Sequence, residues 1–242
     1  MQSQISHLRI KKMKISPYYV RARLFPTLLT ILPLLIFFNV IVVSPFENKL
    51  KEVLHILPII TNLGLSSALL FFMVQINRLI SKEVFQHLYF QDELFMPTTN
   101  YLLWANSYFD DTIKEKIRSK IQDKYGFELM SRDEEIKDEQ TSRKQIVTAV
   151  SQIRNSLRNN TLLLQHNIEY GFFRNLIGGC IIAFLFSIAI LTFGFIQTNQ
   201  FLKISGIVSA LTYLIPIIFS KPIIIRFGNY YSKILYEQFL SI

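Results

Sequence analysis

Hydrophobic and polar positions along this chain fall into long blocks. Residues 24–46, 53–77, 175–202 and 204–220 contain no Asp, Glu, Lys or Arg. Each block approaches or exceeds the roughly 20 apolar residues needed to cross a hydrocarbon core of about 30 Å. Between the second and third blocks lies 78–174, which holds fourteen Lys/Arg and fourteen Asp/Glu. The pattern predicts an all-α integral membrane protein with four transmembrane helices. Two hairpins, 24–77 and 175–220, flank a helical insert, with a basic tail over 1–23 and an amphipathic tail over 221–242.

Proline and cap residues refine the elements. Pro26 falls in the first turn of the first span, where its missing N–H costs nothing, whereas Pro33 lies inside and predicts a kink. A short charged connection, Glu47 to Glu52, leads to a second span with His55 and Pro58 near its start. Leu79, Ile80, Val84, Phe85 and Leu88 keep helical spacing past its end, so the span should run on as a cytoplasmic helix. Its expected stop is Met96-Pro97, with Thr98, Thr99 or Asn100 capping the next element.

In the insert, Tyr101, Leu102, Leu103 and Trp104 form an apolar cluster suited to a core or to the headgroup level. Asp110, Asp111 and Thr112 open a helix with Ile113, Ile117 and Ile121 on one face and Lys114, Lys116, Arg118, Lys120 and Lys124 outward. Gly126 closes it. Ser131 and Glu134 have capping-box spacing and start a second helix, whose stripe is Ile146, Val150, Ile153 and Leu157. Asn159-Asn160 breaks that helix, and a last segment leads into the membrane. Thr198, Asn199 and Gln200 mark the outer turn of the second hairpin.

Charge placement sets the orientation. The net charge is +9, yet the insert sums to zero, and six basic residues precede the first span: Arg9, Lys11, Lys12, Lys14, Arg21 and Arg23. Lys221, Arg226 and Lys233 follow the last span, while the outer turns hold Lys49, Lys51 and Lys203. By the positive-inside rule both termini and the insert face the cytoplasm of an inner (plasma) membrane. The first apolar run is too long for a signal peptide and reads as a retained anchor.

No catalytic or cofactor signature is present, so the chain reads as a non-enzyme without a cofactor. The four histidines lack ligand spacing, and HExxH, Walker, GxGxxG and GxSxG patterns are missing. Cys180 is the only cysteine and suits a small apolar position. Asn39, Thr61 and Asn62 are polar candidates in the first hairpin, suited to lining a pore or to hydrogen bonding between helices. Gly179, Ala183 and Ser187 recur at spacings of four, a small-residue face suited to oligomer packing or to packing within one chain. Arg154, Arg158 and Arg174 are candidates to converge on an anionic ligand, and Gly171 supplies freedom at the junction between insert and membrane.

In layout the chain resembles the small multi-pass effectors of bacterial anti-phage defence operons, of the CBASS or Hailong type. The resemblance covers two hairpins and a sensor-sized cytoplasmic insert. It implies a homo-oligomeric channel or membrane-disrupting effector in the lipid bilayer. A nucleotide or oligonucleotide regulator and an operon-encoded protein partner are also implied. The competing expectation is a non-conducting membrane adaptor whose insert docks a partner protein.

Overall fold

The computed structural model describes residues 16–43 and 58–242, with the side chains of 41–43 and 58–66 left aside. The chain is 83% helix, and no strand occurs among the described residues. Helix α1 spans Pro17–Thr30 and α2 spans Leu32–Val40, bent by 44° at the break. Pro33 sits in the first turn of α2, so the kink falls where its missing N–H interrupts the ladder. Helix α3, Pro58–Ile80, continues through a π-helical turn, Ser81–Gln86, into a short helix, His87–Phe90. The second apolar block therefore does run on past Arg78 as one rod.

The rod ends earlier than Pro97. Gln91 and Asp92 both adopt left-handed backbone, with φ of 42° and 64°, and break the helix there. Pro97 instead opens a single turn, α4 (Pro97–Asn100), and Met96 provides no side-chain cap. Thr99 and Asn100 turn their side chains back, donating to the carbonyls of Glu93 and Phe95. Helix α5, Asp111–Tyr125, begins where Asp110 accepts from the Ile113 N–H and ends at left-handed Gly126.

The Ser131–Glu134 capping box forms, but its helix is short: α6 is Arg132–Lys137. Asp138 interrupts it and caps α7, Glu139–Ser156, by accepting from the Thr141 N–H at 3.0 Å. The single helix expected from Ser131 is thus two, because Asp138 offers a second N-cap. Asn160 then caps α8, Thr161–Ile196, which runs 36 residues unbroken through Gly171, Gly178 and Gly179. A turn at Gln197–Asn199 reverses the chain into α9, Gln200–Ile218, and α10, Ser220–Ser241, comes directly after it.

Helix α8 is the axis. Its C-terminal half forms an antiparallel hairpin with α9, and α1, α2 and α3 pack on its other side. Helices α8 and α9 are long and apolar enough to cross a membrane, and the bent pair α1–α2 makes a third if counted as one span. On α9, Phe201, Val208, Leu211, Ile215 and Ile218 are exposed, an apolar face of the kind lipid covers.

The insert core combines Leu102, Ile117, Ile121, Ile146 and Ile153 with Leu235, Tyr236 and Phe239 of α10, all fully or almost fully buried. The apolar cluster near residue 101 is therefore core. The chain after residue 220 is a wall of that core, held by the Tyr236 hydroxyl donating to the Thr98 carbonyl. The outward face expected for α5 is also divided. Lys114 and Arg118 are buried, with Lys114 donating to the Trp104 carbonyl and Arg118 to those of Met130 and Leu102. Four backbone carbonyls left free by the irregular 101–110 and 127–131 segments, that of Asn106 included, take these cations inward.

Candidate functional site

The middle of α8 is where the insert, the first hairpin and α10 meet. Asn175, almost fully buried, bridges two neighbours. Its amide donates to the Ala22 carbonyl at 2.6 Å, and its Oδ1 accepts from the Ser81 hydroxyl at 2.8 Å. Both partners lie in π-helical turns, Val20–Leu24 and Ser81–Gln86. Wide turns shift backbone groups out of register, and such turns recur at working sites. One helical turn deeper, Asn77 donates to the hydroxyls of Thr27 at 3.1 Å and Thr30 at 3.2 Å. Each hydroxyl in turn donates to its own helix backbone.

Close approach makes these bonds reachable. A Cβ at Gly179 would lie 2.4 Å from Thr30 Oγ1 and 2.7 Å from Asn77 Nδ2, and one at Gly178 would strike the Asn77 carbonyl. Glycine at both positions is what lets α1 and α3 seat against α8. Each such bond between buried groups contributes about 0.5 to 1.5 kcal/mol, while the Asn77 Oδ1 stays buried without a partner.

On the insert side of Asn175 lies a second cluster. Arg154 holds both Glu93 oxygens, at 3.0 and 3.1 Å, and lies 6.0 Å from the Tyr231 ring. Burial alone would lower the Arg154 pKa, but Tyr231 and Glu93 overcome that and raise it, so the cation is held. Arg174 donates to Gln86 at 2.8 Å and lies 5.3 Å over the Tyr170 ring. Tyr170 in turn stacks on Tyr231, 6.4 Å between centroids. The Nε atoms of Arg154 and Arg174 and the Tyr170 hydroxyl are buried without a hydrogen-bond partner. A buried donor in that state costs about 1–3 kcal/mol, so any water or anion reaching it is favoured.

The sequence-derived candidates fare unequally. Arg154 and Arg174 do flank Tyr170, each already engaged by its own partner. Arg158 stands apart: α7 ends at Ser156, so Arg158 falls in the adjoining turn, exposed, without the helical spacing expected of it. Gly171 faces Tyr18, whose hydroxyl would lie 2.7 Å from an added Cβ. Asn39 is exposed on the continuation of the first span, and the Asn62 side chain falls outside the described residues. Gly179, Ala183 and Ser187 are buried inside the chain; that face packs internally and presents nothing to a second copy. His166 lies 3.4 Å from Glu169, and no cluster of three or more metal-ligating side chains occurs among the described residues.

One feature went unseen in the sequence. A groove of about 810 Å³ opens on the insert between the 89–108 segment and α10, lined by Tyr89, Asn100, Tyr108, Asn229, Tyr230 and Lys233 among others. Tyr101 and Tyr108 stack in its wall, 3.9 Å apart and nearly parallel. Recurrent Tyr and Asn at 100–108 and 229–230 were the available signal, but nothing in the sequence joins two segments so far apart along the chain. No protein-family model, curated protein or solved structure matches this chain.

Proposed function

We propose that the chain is a four-span membrane effector, both termini cytoplasmic, whose helical insert controls the permeability of a homo-oligomer in the inner (plasma) membrane. The observation that carries this reading is the continuity of α8. At about 1.5 Å per residue its 36 residues extend about 54 Å. A hydrocarbon core of about 30 Å takes little more than half of that. In the remainder, Leu163 is buried in the insert core and Tyr170 in a second cluster with Phe85, Phe90 and Met96. A rotation or shift of the insert is therefore delivered rigidly to the bilayer, past Asn175 and the two π-helical turns.

A regulator from the cytoplasm would reach the tyrosine-lined groove more readily than the engaged Arg154 and Arg174. The layout shared with small anti-phage effectors suggests a nucleotide-like regulator, and growth arrest as the output. Because the small-residue face of α8 is internal, assembly of copies falls to the exposed face of α9. The competing adaptor reading draws on one observation: Thr27, Thr30, Asn175 and the Asn77 amide N–H are engaged in hydrogen bonds within the chain, which leaves the buried Asn77 Oδ1 as the one unpartnered group of that seam.

The deciding measurement is membrane potential, tracked with a voltage-sensitive dye during induced expression. Wild type should depolarise cells, and Gly171→Val, which drives a side chain into Tyr18, should lock one state. Protein that inserts and never depolarises under any trigger supports the adaptor instead.

A further inference from the structure

A second groove, about 460 Å³, lies where the second hairpin leaves its apolar block. Phe173 and Leu176 of α8, Ile215 and Pro216 of α9, and Ile223 and Arg226 of α10 line it. Phe173 stacks on Phe227 at 4.0 Å, which fixes that wall. Among the lining residues Arg226 carries the only charge, and it is positive. Its Nε donates to the Tyr230 hydroxyl at 3.0 Å, leaving the rest of this exposed guanidinium free.

The two ends of this groove want different surroundings. Ile215 and Pro216 belong to α9, whose exposed side chains are mostly apolar, so that end of the groove faces hydrocarbon. Lys221 and Arg226 lie just beyond that helix, at the level of headgroup phosphates. An apolar groove whose lining carries one free cation complements one molecule: a lipid with an acyl tail and an anionic headgroup.

We propose that this groove binds one anionic phospholipid, its acyl chain between α8 and α9 and its phosphate on Arg226. The proposal rests on the membrane reading but not on conduction. The bound lipid would wedge the joint between α9 and α10, so it contacts both the membrane hairpin and the wall of the insert core.

The test uses full-length protein purified in mild detergent and mixed with phosphatidylglycerol or phosphatidylcholine, with retained lipid counted by native mass spectrometry. Wild type should prefer phosphatidylglycerol by about five-fold or more, the size set by about 1 kcal/mol per basic residue near an anionic surface. Arg226→Gln, which keeps a donor for Tyr230, should bring that preference close to one. Ile223→Trp, which fills the slot, should displace one lipid of either kind. Equal retention of the two lipids by wild type, a preference that survives Arg226→Gln, or a dimer that Ile223→Trp dissociates would each overturn the proposal. Release of the protein from membranes by alkaline carbonate would instead overturn the membrane reading beneath it.

Discussion

Gly178 lies so close to Asn77 that a Cβ added to it would sit 2.7 Å from the Asn77 carbonyl oxygen, with the Ser81 N–H at 3.0 Å. Both obstacles are backbone, so neither can swing aside. The seam between α3 and α8 therefore depends on one missing methyl group, at the depth where Asn77 and Asn175 make their hydrogen bonds.

Gly178→Ala should force α3 away from α8 and cost about 1–3 kcal/mol, the usual range for overpacking. Gly228→Ala is the control. Its Cβ would meet the Pro97 ring at 3.3 Å, a contact that a shift of a few tenths of an ångström relieves. Thermal melting in detergent should place the first variant well below wild type and the second near it. Equal melting temperatures for Gly178→Ala and wild type would mean that the seam is looser than described.

The insert has its own polar keystone. Glu135, buried on α6, accepts from the Trp104 N–H at 2.6 Å and the Ser142 hydroxyl at 2.9 Å, and lies 3.5 Å from Arg118. Removing one partner of a buried pair strands the other and costs about 3–5 kcal/mol. Glu135→Ala should accordingly unfold the insert and expose 78–174 to protease, while membrane insertion survives. Arg118→Met should do the same, because it also frees the Leu102 and Met130 carbonyls. Intact protease resistance in both variants would count against the keystone.

Acid should loosen the same region. The Asp111 carboxyl is held below its ordinary value of 3.8 by the Arg132 guanidinium. Glu134 is held below 4.5 by the Ser131 N–H and hydroxyl, and Asp138 below 3.8 by the Thr141 hydroxyl and N–H. Each binds its proton more weakly folded than unfolded, so stability is complete above the ordinary values and drains away as pH falls below them. Melting temperature should hold from about pH 7 to about pH 5 and drop below about pH 4. Asp138→Asn, which cannot titrate, should flatten part of that drop; an identical acid profile would remove Asp138 from the account.

Much of this architecture could be read in advance because its causes are local. Asp110 and Ser131 cap their helices through bonds that reach three residues along the chain, and Asn160 and Asn199, expected as a break and a turn, do the same. Pro33 kinks its own turn. The failures share a cause too. Lys114 and Arg118 look like solvent-facing cations until the irregular 101–110 segment brings free carbonyls over α5. Asn175 is 153 residues from Ala22 and 94 from Ser81, so their meeting is a property of packing alone. Gly179, Ala183 and Ser187 had the spacing of a packing face, and spacing does not say whose helix the face meets.

Orientation is the claim on which the sensor reading stands, and α8 makes it testable with two cysteines. Its N-terminal end is fixed in the insert core at Leu163, and its C-terminal end leads to the exposed turn at Gln197–Asn199. If α8 crosses the bilayer, Ser119 on α5 and Gln197 must lie on opposite sides. Lys and Arg decide which side is which: Arg21, Arg23, Lys221, Arg226 and Lys233 cluster at the insert end, against Lys203 near the turn. In a Cys180→Ser background, Gln197→Cys should react with a membrane-impermeant maleimide in intact cells. Ser119→Cys, on an exposed face of the insert, should react only after permeabilisation. Labelling of Ser119→Cys in intact cells reverses the topology and ends the cytoplasmic-sensor reading. Labelling of both variants in intact cells ends the crossing by α8, and the four-span architecture with it.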